Sequence, residues 1–174
     1  MGDFFCDAVK EFHKVDVVLI NGGSMRGNKV FEAGDLTKAI VTAMHPFGNQ
    51  IVKIWATGKE IRQYINSQLD CYEDVCGNFV QVAGLKYSFN PIAPKGQRLV
   101  ALTHTDGTIV TDDEKFTLGI TDYMLSTSPL KHNKLFEMTT LNDAVPIVLA
   151  LFAAVQKRGD SCIAPETDGR ILKI

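Results

Sequence analysis

The feature that most restricts the fold is residues 15–20, Val-Asp-Val-Val-Leu-Ile, which run straight into Asn21-Gly22-Gly23. Branching at Cβ favours extended backbone, and a short apolar run closed by Asn and Gly predicts a buried strand. Ahead of it, Asp3 can cap a helix whose apolar stripe is Phe4, Phe5, Ala8, Val9 and Phe12. Behind it, Gly34-Asp35 opens a second helix that continues to Met44 and is stopped by Pro46.

Residues 50–56 alternate Ile51, Lys53 and Trp55 against Val52 and Ile54, the pattern of a strand. Thr57-Gly58-Lys59-Glu60 then has the form of a capping box, followed by Ile61, Tyr64, Ile65 and Leu69 at helical spacing. Residues 79–82 and 85–89 read as strands on either side of Gly84. Residues 98–103 and 108–110 flank Asp106-Gly107, a hairpin signal, and residues 116–120 form another strand. Asn142 or Asp143 starts the last helix, with Pro146 tolerated near its first turn. Helices and hairpins interleave, which predicts an α+β fold with a mixed β-sheet rather than a purely parallel one.

The chain of 174 residues suits a single domain over residues 1–174. Its 18 basic and 20 acidic residues give a formal charge of −2, so neither a nucleic-acid footprint nor a membrane-binding patch is expected. The longest apolar run, residues 145–155, falls short of the roughly 18 residues of a membrane helix. No basic stretch followed by an apolar one marks a signal peptide, and no N-x-S/T sequon occurs. Among Cys6, Cys71, Cys76 and Cys162, only Cys71 and Cys76 are close, and His13, His45, His104 and His132 stand alone. A zinc site needs paired ligand clusters, so the expectation is free thiols, a cytoplasmic protein and no metal site in this chain.

Two loops could carry chemistry. Asn21-Gly22-Gly23-Ser24-Met25-Arg26 follows a buried strand, where α/β folds tend to place ligand loops. Its glycines allow close backbone approach, and Arg26 can present a bidentate fork to phosphate. It lacks the G-K-[ST] of a P-loop, the third glycine of a dinucleotide fingerprint and the second glycine of a nucleophile elbow. By itself it reads as a tight turn with a solvated Arg. His45-Pro46-Phe47-Gly48-Asn49 would bring Phe47 to the rim of the sheet, where an aromatic face can stack on a planar base for roughly 1–3 kcal/mol. Asn49 offers a donor and an acceptor to a base edge. The commoner fate of a Phe is the core, and His45 reads as a helix C-terminal residue.

Two later segments, Gly77-Asn78-Phe79-Val80-Gln81-Val82-Ala83-Gly84 and Thr121-Asp122-Tyr123-Met124-Leu125, add Gly77 and a second aromatic, Tyr123. Asp112-Asp113-Glu114 reads as a solvated loop. No Ser-His-Asp or Cys-His set emerges, nor the His/Asp-rich motifs of a two-metal phosphatase, so no catalytic residue is assigned to this chain.

Taken in order, these segments resemble the C-terminal domain of the 5′-nucleotidase and UDP-sugar hydrolase family. Gly2-Asp3-Phe4-Phe5-Cys6-Asp7-Ala8 is similar to the family's G-N-L-x-x-D-A helix, and Asn21 to Arg26 to its N-G-G-G-I-R. Gly34-Asp35-Leu36, Pro46-Phe47-Gly48-Asn49, Thr57-Gly58-Lys59-Glu60-Ile61, the Gly77 segment, Pro94-Lys95-Gly96-Gln97-Arg98-Leu99 and Gly169-Arg170-Ile171 continue the match. The resemblance implies a substrate-recognition domain of a metal-dependent phosphohydrolase. Its divalent metal pair would sit in a separate N-terminal metallophosphoesterase domain, and this domain would hold no cofactor. Phe47 and Tyr123 would be the two walls around a nucleotide base, Asn49 would meet the base edge and Gly77 would line the pocket. Arg26 and Asn21 would face the phosphate. Where the family carries G-G-D-G, whose Asp holds the ribose hydroxyls, this chain has Ser126-Thr127-Ser128-Pro129-Leu130-Lys131. A non-nucleotide phosphate ester, or a non-catalytic binding role, therefore stands as the alternative.

Overall fold

The structure is a computed structural model that describes residues 1–27, 30, 32–74, 76–159, 163 and 167–174. Helix α1 spans Gly2–His13 and buries Phe4, Phe5, Cys6, Ala8 and Val9 along one face. Met1, not Asp3, holds the N-cap position. Asp3 lies inside the first turn, where a carboxylate still favours the positive end of the helix dipole. Strand β1 is Val17–Asn21, buried at every residue. Helix α2 is Lys38–Met44, strand β2 is Gln50–Thr57 and helix α3 is Gly58–Gln68. Strands β3 (Val80–Ala83), β4 (Leu85–Phe89), β5 (Leu99–His104) and β6 (Lys115–Thr121) follow. Helix α4 (Asp122–Ser126), strand β7 (Val145–Pro146), helix α5 (Ile147–Arg158) and strand β8 (Ile171–Lys173) complete the order.

The strands form two sheets, a five-stranded one in the order β3-β1-β6-β2-β7 and a three-stranded one in the order β5-β4-β8. The larger is mixed: β1 runs parallel to β6 and antiparallel to β3, while β2 is antiparallel to β6 and β7. Side chains alternate along β1, so Val17 and Leu19 enter one core with Ile61, Ile65 and Phe89. Val18 and Ile20 enter a second core with Phe5, Val9, Ile147 and Leu151. Both faces of the central sheet are covered, which is why residues 17–20 are apolar without interruption.

Several expected boundaries move, each for a local reason. Helix α2 begins at Lys38 rather than Gly34, because the Thr37 hydroxyl accepts from Ile40 N at 3.3 Å and caps it there. The last helix begins at Ile147 rather than Asn142. Residues 141–143 instead close a separate short turn capped by Thr140 and Asp143, and Pro146 pairs with Gln50 as part of β7. Residues 108–110 form a single bridge, Thr103 to Ile109, in place of a second hairpin strand. The capping box is present: Glu60 N donates to Thr57 Oγ1 at 3.3 Å and Thr57 N to Glu60 Oε2 at 2.7 Å.

Cys71 and Cys76 are joined in a disulfide, which corrects the expectation of free thiols at these positions. The chain turns tightly here, with Tyr72 N donating to Leu69 O and Asp74 N to Cys71 O at 3.1 Å each, and that turn brings the two sulfurs together. Cys6 is a buried free thiol, its acidity suppressed by desolvation. Cys162 lies outside the described residues. Arg170 pairs with Asp7 at 2.7 Å, Asp168 at 2.8 Å and Asp3 at 3.6 Å, pinning the C-terminal segment against α1.

Candidate functional site

The site forms where β1 ends. Beyond Asn21 the chain enters a short 3-10 turn, Gly22–Ser24, held against residues 77–79 from across the domain. Gly22 N donates to Phe79 O at 2.7 Å, Gly23 N to Gly77 O at 2.8 Å and Asn21 Nδ2 to the same Gly77 oxygen at 3.1 Å. The two glycine backbones touch: a Cβ on Gly23 would lie 2.7 Å from Gly77 Cα. That approach explains the pair of small residues, since real Cβ atoms do not tolerate it.

The loop is tied from its other end to α2. Arg26 N donates to Met44 O at 2.8 Å, and His45 Nδ1 lies 2.9 Å from Ser24 O. A carbonyl only accepts, so Nδ1 carries the proton and Nε2 holds a buried lone pair. Desolvation depresses the pKa of His45, against the opposing influence of the Ser24 hydrogen bond and of Asp122. The ring is therefore a neutral, buried spacer, packed edge-on between Phe5 and Phe47 with centroids 6.3 Å from each. His45 is the C-cap of α2, as its position in the sequence indicated.

Phe47 does not enter the core. It is 51% exposed, follows His45 and Pro46, and is turned outward before Gly48, whose φ of 66° favours a residue without Cβ. Arg26 covers it, with the guanidinium carbon 4.8 Å from the ring centroid. Tyr123 is 54% exposed and sits in the first turn of α4, capped by Thr121, which accepts from Met124 N at 3.1 Å.

Asn21, Gly23, Ser24, Arg26, Phe47, Asn49, Gly77, Asn78 and Tyr123 line one cleft of about 460 Å³. All six residues singled out in the sequence meet there, although they come from four separate segments. Ser24 and Asn78 add lining that sequence reasoning did not single out. Asp122, also missed, accepts from Asn49 Nδ2 at 3.1 Å, Gln50 N at 3.2 Å and Tyr123 N at 2.8 Å, all on one oxygen. Its place beside Tyr123 was the only signal available.

A second cleft of about 740 Å³ opens on the far side of Asn49 and Tyr123, with Leu125, Ser126, Lys131 and Leu141 in its wall. In the segment that departs from the family pattern, Ser126 Oγ donates to Tyr123 O at 2.8 Å. Among the described residues no three His, Cys, Asp or Glu side chains converge as a metal site. No described helix is long and apolar enough to cross a membrane.

Residues 1–132 match the model of the 5′-nucleotidase C-terminal domain family. The chain is 26% identical over 171 residues to the endonuclease YhcR of Bacillus subtilis, covering 98% of this chain and 13% of that protein. The fold superposes on a 5′-nucleotidase precursor of Thermus thermophilus with a TM-score of 0.84 at 21% identity, over 99% of this chain and 35% of that one. The sulfate thiohydrolase SoxB of the same organism gives a TM-score of 0.78 at 18% identity, over 99% of this chain and 31% of that one. The chain thus spans a minor part of each of these relatives. With the family model covering most of its length and the fold shared, this chain belongs to the 5′-nucleotidase C-terminal domain family.

Proposed function

We propose that residues 1–174 are the substrate-binding domain of a two-domain phosphohydrolase acting on a nucleotide. One observation carries this: Phe47 and Tyr123, both about half exposed, face the same cleft as Arg26 and Asn49. Fully burying a Phe contributes roughly 1.5–3 kcal/mol, of which the half-exposed Phe47 forfeits about half, and the ring is in contact with His45 and Arg26. An aromatic held outward at that cost is suited to stacking.

In this reading a base enters between Phe47 and Tyr123, Asn49 meets its edge, and Gly77 lines the floor. Arg26 and Asn21 lie on the phosphate side, where the guanidinium partly neutralises the ester. A divalent metal pair, held in a separate N-terminal metallophosphoesterase domain, would supply activation of the attacking water. This chain's residues bind and orient; they perform no bond cleavage alone.

Calorimetric titration of the chain with nucleoside monophosphates tests the proposal. Binding that Phe47→Ala weakens strongly is expected, together with no hydrolysis by residues 1–174 in the presence of magnesium, manganese or zinc. Metal-dependent turnover by these residues alone overturns the division of labour.

A non-nucleotide phosphate ester is the second reading. It is favoured by the lack of a carboxylate across residues 126–131, and the fold itself is shared with a sulfate thiohydrolase. A thermal shift with another phosphate ester, and none with any nucleotide, would select it. The Cys71–Cys76 bond favours an oxidising compartment over the cytoplasm expected from the sequence.

A further inference from the structure

We propose that His45 is a proton-operated latch on the Asn21–Arg26 loop: as the neutral ring it fastens the loop to helix α2, and on taking up a proton it lets the loop go. The latch follows from how the loop is fastened, whatever ligand the cleft takes.

Two bonds join the loop to the end of α2. His45 Nδ1 donates to Ser24 O at 2.9 Å, and Arg26 N donates to Met44 O at 2.8 Å. His45 is 2% exposed, and its Nε2 is buried without a partner among the described residues. The neutral ring suits this place, because Nδ1–H satisfies the carbonyl and Nε2 is left as a lone pair. A proton on Nε2 does not itself break the Ser24 bond, since both nitrogens of an imidazolium donate. It creates a buried N–H with no acceptor and a charge cut off from water. The imidazolium is hydrated by leaving the space between Phe5 and Phe47, and Ser24 O then loses its donor.

The surroundings of the ring set the direction of the switch. Desolvation is the largest influence and holds the His45 pKa below the ordinary histidine value, against the Ser24 carbonyl and Asp122, which favour the proton. Arg26, a second cation on the Phe47 ring, opposes it. Helix α1 contributes the uncharged ring of Phe5. Once the ring is out in water the desolvation is gone, so the open loop takes up the proton more readily than the closed one. The loop is therefore fully fastened above about pH 6.5 and loosens as the pH falls below it. Release frees Asn21, Ser24 and Arg26, which line the cleft, and removes the ring that backs Phe47. His45 acts through Ser24 and Phe47 and is a positioning residue.

Amide hydrogen exchange on the chain, followed by NMR from about pH 7.5 down to about pH 5, tests this. The protection factor of the Arg26 amide should fall in the acid part of that range, by up to about tenfold per pH unit, the linkage of one proton. His45→Asn keeps an N–H for Ser24 O and has nothing to protonate, so its Arg26 protection should stay level. His45→Ala should leave Arg26 poorly protected at every pH. An equal fall in the wild type and in His45→Asn overturns the latch, and so does constant wild-type protection. At each pH Arg26 should also be less protected than the amides of the central strand β6, which report global unfolding. Equal protection of the two means that the loop opens only with the whole fold, and overturns the latch. A further measurement needs no variant: long-range nitrogen–proton correlation spectra should show the Nδ1–H tautomer of His45 at neutral pH, and the Nε2–H tautomer would remove the bond on which the latch depends.

Discussion

The guanidinium of Arg26 lies over the ring of Phe47, 4.8 Å from its centroid, so the cleft's cation and its outward aromatic hold one another at the rim. A cation over an aromatic face at an exposed site contributes about 0.5–1 kcal/mol. Replacing Arg26 with Gln should reduce stability by no more than that. It should weaken a nucleoside monophosphate by about tenfold or more relative to the matching nucleoside, since only the former offers a phosphate. Paired titrations with and without phosphate check this, and equal losses for both ligands would count against a phosphate role.

Phe47→Ala should have the opposite profile. Half of the ring is already in water, so the melting temperature should fall little. Loss of a stacking wall should cost roughly 1–3 kcal/mol of nucleoside binding. Melting and titration of the same variant separate the two effects; a large drop in melting temperature with unchanged affinity would return Phe47 to a packing role.

At the floor of the cleft, Gly23→Ala should disrupt the fold locally. The new methyl would meet Gly77 Cα at 2.7 Å and Gly77 O at 3.0 Å, both backbone atoms that cannot step aside. Overpacking of this kind costs about 1–3 kcal/mol, and ligand binding should fall with it. Gly48→Ala has open space around it and pays only for its φ of 66°, about 1 kcal/mol. Chemical denaturation of the two variants should rank them in that order.

His13 is buried, Nε2 lacks a partner among the described residues, and its pKa is lowered to about 4 by desolvation and then by the charge of Lys53. A folded pKa below the unfolded one means that the unfolded chain takes up the proton first. Stability should be full above about pH 6.5 and decline as the pH falls toward 4, by on the order of 3 kcal/mol from this group. His45, depressed in the same direction, adds to the slope. His13→Leu should flatten stability against pH over this window without abolishing the dependence; an unaltered slope would show that His13 is not the source.

The Cys71–Cys76 bond closes a short loop immediately before Gly77, the residue that receives Gly23 N and Asn21 Nδ2. Closing so short a loop contributes about 2 kcal/mol through the unfolded state. Cys71→Ser, or a reductant, should lower the melting temperature accordingly. Because the loop leads into the floor of the cleft, ligand affinity should fall as well. Melting and titration in oxidising and reducing buffer check both.

The sequence alone determined those features whose cause lies within a few residues. The Val17–Asn21 strand follows from β-branching, and its residues 17–20 are apolar without interruption because both faces are covered. The Thr57–Glu60 capping box follows from side chains that reach only three positions along the chain. The ordered motifs named the six cleft residues without showing that they meet. Tertiary structure decided what depends on distant partners. The Asn21 amide finds Gly77 O across 56 positions, and Asn49 finds Asp122 across 73. Thr37 moved the start of α2 to Lys38 by capping it there, whereas residues 140–143 close a turn of their own and α5 starts after Pro146 with no side-chain cap. Phe47 is apolar enough for the core, yet the completed fold leaves it half exposed at the cleft, in contact with His45 and Arg26. Local propensity acts through a residue's own neighbours in the chain, whereas a site is made by side chains that only the completed fold brings within hydrogen-bonding distance.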